Sequence, residues 1–457
     1  MKTFRLPLLL AGALAVALAL TASAPAAAAP SYRAGEVIVR YAHGASQTEA
    51  AAALQRTGTA GGETAGPGAQ VLQIRDGQSV RSTVRELDHQ PGVSYAVPNY
   101  VAHAAGFVPN DPGRGHAPGA WQSVQWNFLA ANGVDAPDAW SNAAALGAPG
   151  GRGVTVAVLD TGIAYESRGR FRRSPDFSAS TFVPGYDFVD LDTHPDDLNG
   201  HGTFIAGVIA EATNNGRSLT GLAYGAKVMP VRVLDADGLG DAASIGRGIR
   251  WAVNHGARVL NLSLEFDPST PRSQIPEVLN AVRYAHTKGV VVTAASGNEA
   301  ERAIAYPAKA GGVISVGATT EHGCLADYSN TGTGLILVAP GGGADADIPE
   351  DPAHCRPGSR PGRDVYQLTY TGGSVRRFGL PSGYQGTSMA TPHVTAAAAL
   401  VIATGIIGRR PSPDAVEKRL EATARDLGPA GYDSRYGYGL LNAAAAIQPP
   451  AAAKRSR

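Results

Sequence analysis

Three short stretches of the 457-residue chain carry side chains that do nucleophilic chemistry when brought together. Asp160 closes the apolar run Val154-Thr-Val-Ala-Val-Leu and is followed by Thr161-Gly162. His201 lies in Asn199-Gly200-His201-Gly202-Thr203, and Ser388 in Gly386-Thr387-Ser388-Met389-Ala390-Thr391-Pro392-His393. A serine hydroxyl is a poor nucleophile until an adjacent base takes its proton. A neutral imidazole is such a base, and a carboxylate fixes its tautomer and stabilises its charged form. Each residue alone has an ordinary reading. Ser388 is a good helix cap ahead of the apolar run 396–401, Asp160 a strand-end carboxylate held by backbone amides, and His201 a surface loop residue. Together they supply acid, base and nucleophile in the order Asp, His, Ser. Gly200 and Gly202 let backbone and substrate approach the imidazole closely. A serine near a helix start also offers a backbone N–H and a favourable dipole to a developing oxyanion.

That order and those motifs resemble the subtilisin-like serine proteases, the subtilases, over about residues 109–447. The resemblance implies that Asp160, His201 and Ser388 are catalytic. It also implies that Asn298, in Thr293-Ala-Ala-Ser-Gly-Asn298-Glu299, is the side-chain donor of the oxyanion hole. By the same likeness Asn261-Leu262-Ser263-Leu264 is the strand edge that pairs with substrate backbone and walls the S1 pocket. Gly238 and Gly240 form the opposing edge, and Ala295 and Gly297 complete the substrate contacts. Two positions depart from the family pattern. Phe204 stands where many subtilases carry a second histidine, outside the triad. Glu265 replaces the small glycine that often follows the pocket wall, where a carboxylate favours basic side chains, blocks bulky ones, or points to solvent. An α/β-hydrolase esterase would want G-x-S-x-G and the order Ser, acid, His, whereas Ser388 is followed two residues later by Ala390. A degenerate, non-enzymatic relative would lack a triad or oxyanion residue, and all are present.

The segment from Tyr186 to Asp197 places five carboxylates just before His201, which repel one another unless solvated or neutralised by a hard divalent cation. The spacing resembles the medium-strength calcium loop of thermitase-like subtilases, with Asp187, Asp190, Asp192 and Asp196 as ligands and His194 serving through its carbonyl. A second, tighter calcium site is implied at Asp111, Asp176 and the Asn214-Asn215-Gly216 loop, with Asn214 as ligand. Cys324 and Cys355 are the only cysteines, and in an exported chain an isolated pair is expected to form a disulfide. Zinc would lack the remaining ligands of its tetrahedron.

Positioning such residues requires a large α/β domain. Near-continuous apolar runs at 154–158, 227–233, 259–264, 290–294, 313–316 and 335–339 read as strands buried on both faces. Helical patterns lie between and beyond them at 203–212, 242–255, 276–288 and 414–427, which is the alternation of a parallel sheet. The resemblance makes this a three-layer subtilisin-like fold, with a central, mostly parallel sheet flanked by helices. Ahead of it, strands at 35–41, 70–75 and 92–97 and helices at 46–56 and 80–87 read as a small α+β unit, similar to the inhibitory propeptide of subtilase precursors.

The expected organisation is a signal peptide at 1–29, the propeptide at 30–105, the catalytic domain at 106–447 and a disordered tail at 448–457. Lys2 and Arg5, the apolar run 6–20 and the small residues 22–29 form the secretory signal. Lys plus Arg (39) nearly balance Asp plus Glu (38), which argues against a nucleic-acid or anionic-membrane partner held by bulk charge. With the signal peptide and the subtilase resemblance, the expected product is a secreted monomer without a membrane anchor, and the resemblance implies that it acts on polypeptides and is restrained by its own propeptide.

Overall fold

A computed structural model of the chain describes residues 32–75, 78–100, 107–348, 350, 355 and 362–448. The proposed signal peptide, the linker 101–106 and the tail beyond 448 lie outside the described residues. The chain divides into two compact units, Met1–Ala105 and Gly106–Arg457.

The N-terminal unit runs β1 (Tyr32–Tyr41), α1 (Gln47–Arg56), β2 (Thr59–Gly66), β3 (Ala69–Ile74), α2 (Val80–Asp88) and β4 (Val93–Tyr100). Its strands form an antiparallel sheet in the order β2-β3-β1-β4, around a core of Val37, Val39, Leu72, Val80, Leu87 and Ala96. Helix α1 begins with a capping box: Ser46 Oγ accepts from Glu49 N, and Glu49 Oε2 accepts from Ser46 N. Strand β2 was not anticipated. Its sequence, Thr-Ala-Gly-Gly-Glu-Thr-Ala-Gly, has no apolar alternation, and it is an edge strand held through backbone pairing with β3.

The C-terminal unit contains α3 (Ala136–Ala145), β5 (Thr155–Asp160), β6 (Tyr186–Asp187), α4 (His201–Ala210), β7 (Lys227–Arg232), α5 (Ala242–Asn254) and β8 (Val259–Leu262). These are followed by α6 (Pro276–Thr287), β9 (Val291–Ala295), β10 (Ile314–Thr319), β11 (Leu337–Pro340), β12 (Thr369–Thr371), β13 (Ser374–Gly379), α7 (Thr387–Thr404), α8 (Pro413–Thr423) and α9 (Ala443–Ala446). Seven strands form one parallel sheet in the order β11-β10-β9-β8-β5-β7-β6. Both faces are covered, as the apolar runs require. In β5, Val156 and Val158 enter one core with α4 and α7 residues, while Ala157 and Leu159 enter a second with α5 and α6 residues. The three-layer α/β reading therefore holds.

Helix α8 stops short of the expected 427 because residue 425 leaves it to pair with Leu440, the Arg425 N–H meeting the Leu440 carbonyl at 2.7 Å and the reverse bond at 2.8 Å. The strand order reverses at β5: β7 and β6 continue to one side, β8 to β11 to the other. In sheets of this type ligands bind beyond the carboxyl ends of the strands at such a switch point. Asp160 ends β5, Ser263 follows β8 and Asn298 follows β9, so all three meet there.

Candidate active site

Asp160 is fully buried, and its Oδ1 accepts both the Thr161 N–H and His201 Nδ1, each at 2.7 Å. A proton on Nδ1 leaves the lone pair on Nε2, the tautomer a general base needs. His201 opens α4 and keeps about a quarter of its side chain exposed, at 23%. Burial depresses its pKa, but the charge and hydrogen bond of Asp160, aided by the charge of Asp197, outweigh that and leave it raised above the ordinary histidine value.

The loop ahead of His201 is held by a residue that was not singled out from the sequence. Asp197 is fully buried, with Oδ1 accepting from Thr161 Oγ1, Asn199 N and Gly200 N, and Oδ2 from Thr203 N and Thr203 Oγ1. Thr161 Oγ1 in turn accepts from Gly202 N at 3.0 Å. One carboxylate thus caps α4 and ties the His201 loop to the end of β5. Its signal was an aspartate shortly before the helix-starting Gly-His-Gly-Thr. Gly202 is required sterically, because a Cβ there would lie 2.1 Å from the Gly162 carbonyl oxygen.

Ser388 is the second residue of α7, so its backbone N–H lies in the first turn, where a helix provides no intrahelical acceptor. Its Oγ donates to the Ser263 carbonyl at 3.2 Å, and Ser263 Oγ donates back to the Ser388 carbonyl at 2.8 Å. Pro392 explains the second bond. It stands inside α7 without an N–H, so the Ser388 carbonyl loses its usual partner four residues on, and Ser263 supplies one. Asn298 is pinned from two sides: Oδ1 accepts from Thr387 N (2.8 Å) and Thr387 Oγ1 (3.1 Å), and Nδ2 donates to Glu265 Oε1 at 3.0 Å. An amide nitrogen carries two protons, so one remains.

His201, Ser388, Ser263, Leu264, Gly238 and Gly240 line one cleft of about 410 Å³, together with Glu265, Phe266 and Leu239. Gly297 borders Glu265 rather than the open cleft, with φ at +116°, while the Ala295 side chain is buried at the end of β9. Phe204 is fully buried and stacks on Tyr384, with ring centroids 4.3 Å apart and planes within 3°. An apolar ring in place of a histidine therefore joins the His201 helix to the segment leading into Ser388.

The expected calcium loop is organised differently. Arg232, at the end of β7, is 3% exposed and donates through Nη1 to Asp187 Oδ2 (2.8 Å) and Asp190 Oδ2 (2.6 Å). Asp187 Oδ1 takes the N–H groups of Val189 and Asp190, and Asp192 Oδ1 takes that of His194. Arg168 Nη2 meets Asp196 Oδ2 at 2.8 Å. Two guanidinium groups supply the positive charge assigned to a metal, so the four aspartates do not fit a calcium site as arranged. The apolar β7 run hid Arg232 as a partner.

At the second location the donors are less spent. Asp111 is fully buried and accepts the N–H groups of Asn214 (2.7 Å) and Asn215 (3.1 Å). Asp176 Oδ1 accepts from Asn215 Nδ2 at 2.7 Å, but its buried Oδ2 has no hydrogen-bond partner. Glu211, which the sequence reading did not include, is fully buried just after α4 with neither carboxylate oxygen partnered. Burial pushes Asp176 up to about 7 with the charge of Asp111 adding, and burial with Asp176 drives Glu211 well above the usual carboxylate range. Asn214 Oδ1 accepts the Asn110 N–H at 3.0 Å, which engages one of its two lone pairs. Among the described residues no three His, Cys, Asp or Glu side chains are gathered as a ready metal cluster. Calcium, however, also accepts amide and carbonyl oxygens, and the orphaned acid oxygens fit a cation here.

Cys324 and Cys355 form a disulfide with Cα atoms 5.5 Å apart, as expected. No helix among the described residues is long and apolar enough to cross a membrane.

Two family profiles match the chain: "Subtilase family" over residues 151–439 and "Fervidolysin N-terminal prodomain" over residues 20–99. A "Thermophilic serine proteinase" of Bacillus sp. (strain AK1) is 33% identical, covering 91% of this chain and 88% of that protein. "Subtilisin BL" of Lederbergia lenta is 38% identical, over 72% of this chain and all of its own length (100%). Among solved structures, a protease from Pseudoalteromonas arctica PAMC 21717 superposes with a TM-score of 0.59 at 31% identity, covering 75% of this chain and 99% of the other.

Proposed function

The chain belongs to the subtilase family of serine proteases and carries an N-terminal prodomain, and from that premise we propose that it is a secreted endopeptidase acting through Asp160, His201 and Ser388. The observation that carries this reading is the 2.7 Å bond from His201 Nδ1 to Asp160, in a cleft shared with Ser388. Ser388 Oγ turns from the Ser263 carbonyl toward His201 Nε2 and gives up its proton as it attacks the scissile carbonyl. The oxyanion accepts from the second Asn298 Nδ2 proton and the Ser388 N–H; losing one such donor costs about two to three orders of magnitude in turnover. The imidazolium then protonates the leaving amine, and water, activated by the same imidazole, hydrolyses the acyl-enzyme.

Residues 1–29 direct export, residues 30–105 inhibit until removed, and residues 106–447 form the catalytic domain. Calcium, when bound, would be held by Asp111 and Asp176 with nearby oxygen donors; it supplies positive charge among buried acids and takes no part in the reaction. The mature enzyme works as a monomer with no membrane anchor.

Substituting Ser388→Ala should give a precursor that folds but is never processed. The test is expression in a protease-free host, followed by mass and N-terminal sequence. The wild-type cut should fall between about residues 100 and 109, the segment between the prodomain's last strand and the catalytic unit. A Ser388→Ala chain that matures on schedule would sink the self-processing claim.

A further inference from the structure

Glu265 follows Ser263 and Leu264 on the wall of the cleft, and the buried Gly297 lies behind it, between β9 and Asn298. The Glu265 side chain reaches back to both Asn298 and Gly297. Its Oε1 takes an Asn298 proton at 3.0 Å, and a Cβ on Gly297 would come within 2.8 Å of Oε2. That second oxygen is buried without a hydrogen-bond partner. Among the described residues no arginine or lysine pairs with the carboxylate. Burial, with the charge of Glu299 adding, pushes it up to about 7 while the Asn298 bond opposes. The side chain thus folds back onto Asn298 and Gly297 at the edge of the cleft rather than extending to solvent.

The chain's own sequence bears on what such a slot accepts. The segment proposed above for self-processing reads Tyr100-Val-Ala-His-Ala-Ala-Gly-Phe-Val-Pro109: residues 104–106 offer a run of small side chains, and lysine and arginine are absent. A slot that required a basic side chain would find none there.

We propose that Glu265 fills the inner part of the S1 slot, restricting the residue before the scissile bond to small side chains, and that the same carboxylate positions Asn298 for the oxyanion. The inference rests on the protease reading and deepens it. Space is taken by a side chain anchored through Asn298, so a phenylalanine or arginine enters only by displacing Glu265 from that bond. Displacement would loosen the oxyanion donor at the moment it is needed, so large residues are disfavoured in turnover as well as in binding.

The test uses the mature full-length enzyme with peptide p-nitroanilides that vary only in the residue before the amide: alanine, leucine, phenylalanine and arginine. Each preparation is first titrated with a fluorophosphonate, which reports an assembled Ser388 whatever the slot accepts. Wild type should favour alanine over phenylalanine and arginine by about tenfold or more in kcat/KM, the scale on which an apolar pocket discriminates by size. Glu265→Ala should reverse the order toward phenylalanine while lowering kcat for the alanine substrate, because Asn298 loses its anchor. Glu265→Gln, with nearly the same volume and no charge, should keep the preference for alanine and restore that kcat. An arginine preference in wild type that Glu265→Gln abolishes would overturn the proposal in favour of charge recognition. A wild-type preference for phenylalanine would overturn it outright. Failure of the fluorophosphonate to label wild type would instead refute the protease reading beneath it.

Discussion

At the residue scale the electrostatics of His201 set a direction for pH dependence. Only the neutral imidazole accepts the Ser388 proton, and Asp160 and Asp197 hold the pKa above its ordinary value despite burial. Activity should therefore fall as pH drops through a midpoint above about 6.5. A kcat/KM profile with a peptide amide checks this, and a midpoint below that value would contradict the assigned environment. The three motifs made Asp160, His201, Ser388 and Asn298 legible because each chemical role demands one residue type beside glycines or a strand end. Asp197, Glu211 and Arg232 were not legible as partners. Their roles depend on which buried groups the fold sets opposite them, and a lone Asp, Glu or Arg in a string carries no such record.

At the element scale six of the seven strands of the parallel sheet were readable from their apolar runs, to within a few residues, while the two-residue edge strand β6 lay inside the segment read as a calcium loop. Burial on both faces leaves little freedom in composition. The β2 strand was unreadable for the opposite reason, since an edge strand held through its backbone needs no particular side chains. Helix α7 carries a second buried titratable group. His393 is fully buried, with Nε2 against Asn127 Nδ2 at 2.8 Å, Nδ1 against the Met389 carbonyl at 2.9 Å and its ring edge-on to Phe128. Burial lowers its pKa to about 4, although hydrogen bonding at Met389 and Ala390 opposes this. The unfolded chain then binds a proton that the folded one refuses between about pH 6.5 and 4. This contribution to stability is whole above 6.5 and is lost as pH falls through that window, reaching about 3 kcal/mol. His393→Gln, which keeps a polar group beside Asn127 without titrating, should show a shallower acid loss in denaturant unfolding; equal slopes would contradict the account.

On the scale of the whole molecule, two devices tie down irregular chain. The disulfide closes a separation of 31 residues, and reducing it should cost about 3–4 kcal/mol by loop-closure entropy. Thermal unfolding with and without reductant measures that loss. The orphaned oxygens of Asp176 and Glu211 make the region after α4 the place where a cation should matter. Chelator should lower the melting temperature, calcium should restore it better than magnesium, and Asp176→Asn should shrink the response. An unchanged melting temperature in chelator would remove calcium from this protein. The acidic loop at Asp187, where Arg232 already pairs with Asp187 and Asp190, should contribute nothing to that response. The reciprocal bonds between Ser263 and Ser388 have one more consequence. They make the recognition wall and the attacking residue one mechanical part, so a side chain that pries at the wall also tilts the nucleophile. A misfit is then felt as lost alignment rather than as loose binding, and selectivity is written into how fast the enzyme turns over.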